Sequence, residues 1–178
     1  LAALVHLARS REAARLDAGG AMVPLSEQDP ALWDYAAIER ARRWLDQAAA
    51  LGQSGPYQVM AAIQLTHARR GFDGRTDWGA IVRLYDALMV QRPGAVVALN
   101  RAAALAQAQG AAAGMAALEA VNAAELANAR PYYAARAAML AQAGCDKEAL
   151  QAYDAALALD PPRAERLFLE QRRANLIA

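Results

Sequence analysis

Few residues in this 178-residue chain have the chemistry to act on a substrate. The histidines are His6 and His67, the single cysteine is Cys145, and Asp73 and Asp77 form a close pair of acids. Proton transfer needs a titratable group with a partner placed within hydrogen-bond reach. His67 stands near Gln64 and Arg70, with no acid spaced to orient it. Serine and threonine are rare, and none is spaced against a histidine as a nucleophile is against its base. Asp73 and Asp77 read better as loop and cap residues. A lone cysteine makes no internal disulfide, and no Cys/His cluster has zinc-ligand spacing. The Gly19-Gly20 pair lacks the strand-to-helix setting and the lysine of a phosphate loop. The expectation is a protein that is not an enzyme, with no catalytic residue, no cofactor and no metal.

The elements that would hold such residues are easier to read. The chain has 50 alanines and few β-branched runs. Alanine is the strongest helix former because it loses no side-chain entropy, and its small size lets helices approach closely. That composition predicts an all-α protein. Nineteen basic residues against 18 acidic give a net charge of +1, which does not suit a chain built to neutralise phosphates. No apolar run reaches membrane-spanning length and no signal-peptide layout is visible. With the single Cys145, this fits a cytoplasmic protein. The chain begins at Leu1, already inside an apolar helical pattern, which suggests a fragment of a longer protein.

Taken in order, Leu1 to about Arg11 is an amphipathic helix with Leu4, Leu7 and Ala8 on one face and His6 beside it. Ala13 to Leu25 changes character. Asp17-Ala18-Gly19-Gly20 is turn chemistry between two short apolar segments, which predicts a small β-hairpin limited by Pro24. Trp33 is expected to anchor the next helix, which Asp34 caps and which runs from Tyr35 to about Leu51. Arg40, Arg42 and Arg43 read as its solvated face. Further helices are expected over Tyr57–Arg70, Trp78–Arg92, from Ala95 to Gly110, and over Ala112–Val121. A short helical turn and loop follow over Asn122–Arg130, then helices over Pro131–Ala143, Lys147–Leu159 and Arg163–Leu176. Asp77 and Asp146 are expected caps.

An internal period organises this series. Tyr85 and Tyr153 are 68 residues apart, as are Asp86 and Asp154, and Pro93 and Pro161, while Gly110 and Gly144 are 34 apart. A tetratricopeptide repeat is about 34 residues long. Each helix pair cannot bury its apolar stripe alone, so pairs stack. Three degenerate units are expected, at about 57–94, 95–128 and 129–162, with Leu118 near the tyrosine position of the middle one. The fold class is then a tetratricopeptide-like helical-hairpin array, a right-handed α-solenoid, with the small N-terminal β-hairpin between helices. Two domains are expected: 1–51, holding the first helix, the hairpin and the second helix docked on the array, and 52–178, holding the repeats and a C-terminal capping helix. In such arrays the first helix of each pair lines the binding side. The polar residues there are Gln58, Gln64, Asn100 and Arg101, which are the candidate protein-binding residues. Asn100 and Arg101 interrupt an otherwise apolar helix.

The runs GPYQVMAAI (Gly55–Ile63), TDWGAIVRLYDAL (Thr76–Leu88) and AVVALNRAAALA (Ala95–Ala106) resemble the C-terminal extension of a group of extracytoplasmic-function (ECF) RNA polymerase sigma factors. EQDPALWD (Glu27–Asp34) and ERLFLEQR (Glu165–Arg172) extend the resemblance, in order, over nearly the whole chain. It departs from that group at Arg92-Pro93-Gly94 and at the alanines Ala102 to Ala104. The resemblance implies a regulatory or protein-interaction domain that modulates transcription initiation. Its partners would be its own upstream sigma domains and the RNA polymerase core, with no direct DNA contact from this segment and no membrane. The other reading of the residues is a free-standing tetratricopeptide adaptor for a peptide or protein partner. Against it, the chain lacks the dense Lys/Asn groove that captures a C-terminal carboxylate.

Overall fold

The structure, a computed structural model, describes residues 1–121, 123–126 and 128–177. The α-helices in chain order are α1 (Ala2–Arg9), α2 (Tyr35–Ala50), α3 (Pro56–Ala68), α4 (Arg70–Asp73), α5 (Trp78–Gln91), α6 (Ala95–Gln109), α7 (Ala111–Glu119), α8 (Ala123–Leu126), α9 (Arg130–Gln142), α10 (Asp146–Ala158) and α11 (Arg163–Ala174). Short 3-10 turns cover Glu12–Ala14 and Pro30–Leu32. Local chemistry accounts for most boundaries. Asp34 Oδ1 accepts the Ala37 N–H at 2.9 Å and Asp77 Oδ1 accepts the Ala80 N–H at 2.8 Å, each satisfying a donor that has no partner inside its helix. Pro56 occupies the first turn of α3, where its missing N–H is harmless. Gly110 and Gly144 take positive φ values of 97° and 74° at the ends of α6 and α9, which a residue with a Cβ adopts only at a cost. Asp146 is not the cap expected of it. It is the first residue of α10, follows Cys145 at the cap position, and makes no capping hydrogen bond.

Two compact units result, one comprising residues Leu1–Arg15 and Val23–Pro93, the other Leu16–Met22 and Gly94–Ala178. They divide the chain chiefly at 93/94, whereas the sequence pattern put a domain boundary at 51/52. In the first unit α1 packs on α2 and α3, and α3 on α5. Leu7, Ile38, Ala41 and Ala68 form its core with Trp33, which is 4% exposed as the expected anchor. In the second unit α6 pairs with α7, and α9 with α10. Leu99, Ala102, Ala106 and Leu118 centre one core cluster; Ala137, Ala149, Tyr153, Ala156 and Leu169 centre the other. The expected units at 57–94, 95–128 and 129–162 therefore each contain a packed helix pair: α3 with α5, α6 with α7, and α9 with α10. Of the expected turn over 122–130, Asn122 and Ala127 lie outside the described residues.

Close approach explains one glycine. A Cβ on Gly114 of α7 would overlap the Ala106 side chain, 2.9 Å from Ala106 Cα and 3.0 Å from the Ala102 carbonyl oxygen. The α6–α7 hairpin thus brings two backbones together over alanine and glycine, and Leu118 beyond them is 1% exposed.

The β-hairpin expected over 13–25 is absent: the described residues form no strand. Its turn is nevertheless present in the second unit. Asp17 Oδ1 accepts the amides of Gly19 and Ala21 at 2.8 and 2.9 Å, and a single antiparallel bridge joins Leu16 to Met22. No ladder extends from it, for three local reasons. The preceding residues coil into the 3-10 turn Glu12–Ala14. Pro24 has no donor to offer. The Met22 amide donates instead to the Ala164 carbonyl oxygen at 2.9 Å.

Candidate functional site

The four residues singled out for partner binding fall in different settings. Gln58, in the first turn of α3, turns its Oε1 back to accept the Gly55 N–H at 2.6 Å. That is the reciprocal half of a capping box. Gln58 also borders a groove of about 510 Å³ lined by Leu45 and Ala49 of α2, Val59 and Ala62 of α3, and Leu84 of α5. Gln64, six residues on, accepts from Arg11 Nη2 and is half-buried. Two residues of one helix thus serve two different neighbours, and the structure does not bring them to one surface. Asn100 is exposed on α6, while Arg101 beside it is half-buried and engaged in an interaction of its own.

Sequence reading passed over the polar cluster around Arg11. This arginine is 7% exposed and has no acidic partner among the described residues. Its Nη1 is buried without a hydrogen-bond partner, and so are Gln28 Oε1 and Trp33 Nε1. Burial and then the nearby Arg15 lower the Arg11 pKa to about 10. His67 packs edge-on against Trp78 with ring centroids 5.2 Å apart. Burial first, then the charges of Arg11 and Arg70, lower its pKa to about 4, so it is neutral near pH 7. Arg70 donates to the backbone oxygens of Ser26 (3.0 Å), Leu25 (3.5 Å) and Gln28, and its guanidinium lies 5.3 Å from the Trp33 ring centroid. The cluster fastens the 25–28 loop to the α3–α4 corner. A neutral imidazole against an indole, with two cations nearby, holds a loop in place and offers no base to a substrate. No signal in a lone Arg11 or Arg70 could have announced this, because their partners are backbone oxygens and a glutamine 53 residues away.

The exposed side chains of α2 present a second surface. Arg42 donates to Glu39 at 2.7 and 2.9 Å and to Asp46 at 2.6 Å. The Arg42 hydrogen bond, foremost, draws the Glu39 carboxyl below the usual carboxylate range. Arg40, Arg43, Trp44 and Gln47 line a depression of about 220 Å³, and Trp44 is 51% exposed. In the second unit Glu170, Arg173, Ala174 and Ile177 line another of about 440 Å³ at the end of α11. Among the described residues no group of His, Cys, Asp and Glu could hold a metal ion, and no helix is long and apolar enough to cross a membrane.

Residues 1–49 match the model of a family of unknown function, DUF6596, which is in general a C-terminal domain found in ECF sigma factors. The whole chain is 38% identical to an uncharacterized protein of Rhizobium meliloti (strain 1021), of which it spans 42% of the length. Among solved structures, the MamA RS-1 ArsTM double mutant superposes with a TM-score of 0.53 at 17% identity, over 80% of this chain and 85% of that one. MamA is tetratricopeptide-like, and the likeness is one of fold. The chain therefore has an all-helical, tetratricopeptide-like fold of the kind used for protein interaction.

Proposed function

We propose that this chain is the C-terminal protein-interaction domain of an ECF-type sigma factor, modulating transcription initiation through contacts with the sigma domains or the polymerase core. The observation that carries this reading is the match of residues 1–49 to a domain that in general ends such sigma factors. The ordered motifs from Gly55 to Arg172 support it over the rest of the chain. So does the helical-hairpin architecture, whose exposed faces offer surface to a partner and whose polar clusters are explained by packing. On this reading the protein works in the cytoplasm beside the polymerase, without a cofactor and without catalysing a reaction of its own.

The test compares the sigma factor with and without residues 1–178 in reconstituted transcription with core polymerase, together with cross-linking of the intact protein. Promoter-dependent output is expected to change when the domain is removed, with cross-links from it to the sigma region or the core. Unchanged output and no such cross-links would refute the reading. Capture of peptides unrelated to transcription would favour the free-standing adaptor instead.

A further inference from the structure

The α2 helix carries a face that its own fold leaves unused. Arg40, Arg43, Trp44 and Gln47 stand at i, i+3, i+4 and i+7, so they form one stripe. The core side of the helix is Ala37, Ile38 and Ala41, all at most 3% exposed. An indole half in water is an unfavourable place for the largest apolar side chain in the chain. The helix's own carboxylates are already committed elsewhere. Glu39 and Asp46 are both bonded to Arg42, and Asp34 caps the helix while lying 3.8 Å from Arg40. Arg43 lies near enough to Glu39 to influence its titration, yet no ion pair holds its guanidinium among the described residues. What remains is a shallow depression with arginines along one edge and an indole beside them. Trp and Arg are the side chains most enriched where a few residues dominate binding.

We infer that the Arg40–Arg43–Trp44–Gln47 face of α2 docks an acidic helical segment of a protein partner, one that presents Asp or Glu a turn apart on either side of an apolar residue. Bidentate pairing of carboxylates with the two guanidiniums would set register, and the apolar residue would cover Trp44. A nucleic acid is the poorer occupant. Duplex binding draws on about 6–10 phosphate contacts, whereas this face offers two guanidiniums on a chain of net charge +1. A hollow of about 220 Å³ takes one side chain. The inference rests on the docking function proposed above and names the surface that performs it.

The experiment uses the 178-residue chain with three probes: a synthetic Glu-rich helical peptide with a central leucine, its Lys-rich counterpart, and duplex DNA. The acidic peptide is expected to shift Trp44 emission to the blue. Trp44→Ala or the double variant R40E/R43E should weaken its binding roughly tenfold or more, whereas Trp44→Phe should keep most of it. Circular dichroism and melting should be unchanged, because these side chains are exposed. Equal binding by R40E/R43E, preference for the Lys-rich peptide, or equal binding of DNA would overturn the inference. A parallel capture of purified core polymerase and sigma region separates this from the broader reading. Capture that survives R40E/R43E and Trp44→Ala overturns the α2 surface and leaves docking intact; no capture by the unaltered chain overturns both.

Discussion

At the scale of single residues, His67 and Arg11 carry the sharpest expectation. The folded value of His67, about 4, lies below its ordinary 6.5, so the native state holds the imidazole neutral. Its contribution to stability is complete above about 6.5 and is lost as the pH falls toward 4, by roughly 2–3 kcal/mol at full extent. Urea unfolding at a series of pH values should show that slope, and His67→Gln should remove it. Arg11→Met takes away one of the two cations that disfavour the protonated ring, so an NMR titration should find the His67 value raised. The same change removes a buried charge without an acidic partner, and such replacements are often neutral or stabilising. An unchanged His67 titration in Arg11→Met would contradict the electrostatic account. The reading of His67 as a packing residue was available from its neighbours in sequence. Its coupling to Arg11 was not, since 56 residues separate them and only the packing of α1 against α3 brings them near.

At the scale of helices and their junctions, two paired substitutions distinguish the effects at work. Gly114→Ala should destabilise by about 1–3 kcal/mol through overpacking against Ala106, which outweighs the roughly 1 kcal/mol that alanine gains in helix propensity. Gly79→Ala in α5 should act in the opposite sense. A Cβ there meets nothing nearer than 3.5 Å, so the lost unfolded-state entropy should stabilise by about 0.4–1 kcal/mol. Thermal unfolding of both variants reads the difference, and equal signs would defeat the steric explanation. Likewise Asp77→Ala should cost about 1 kcal/mol because it removes the acceptor for the Ala80 amide. Asp146→Ala should cost only about 0.3 kcal/mol, since that carboxylate interacts with the end of α10 through charge alone. Sequence pattern treated the two aspartates alike. Which one caps depends on whether the preceding chain enters extended, and here Cys145 rather than Asp146 takes the cap position.

At the scale of the whole molecule, near-balanced charge leads to one more expectation. Fluorescence anisotropy should show no saturable binding of duplex DNA at physiological salt, because too few phosphates would be neutralised. Saturable binding there would mean that a local patch overrides the net charge. The alanine content, the 34-residue spacing of Gly110 and Gly144, and the recurrence of Tyr85 and Pro93 as Tyr153 and Pro161 were enough to specify helix pairs. Helix formation and pairwise packing are set by local propensity and by apolar spacing along one element, and both are written in consecutive residues. The failed hairpin marks the limit. Asp17 to Gly20 do make the turn, but strand formation requires a partner for each following amide, and Met22 finds its partner in Ala164, 142 residues away. For the same reason Gln64 became a ligand of Arg11, and the Arg70 guanidinium a clamp on the 25–28 loop. Sequence alone determined which segments are helices and which pair. Tertiary structure decided which polar side chains those pairs consume and which, like Arg43 and Trp44, they leave facing solvent, because hydrogen bonds and burial are satisfied in space rather than along the chain.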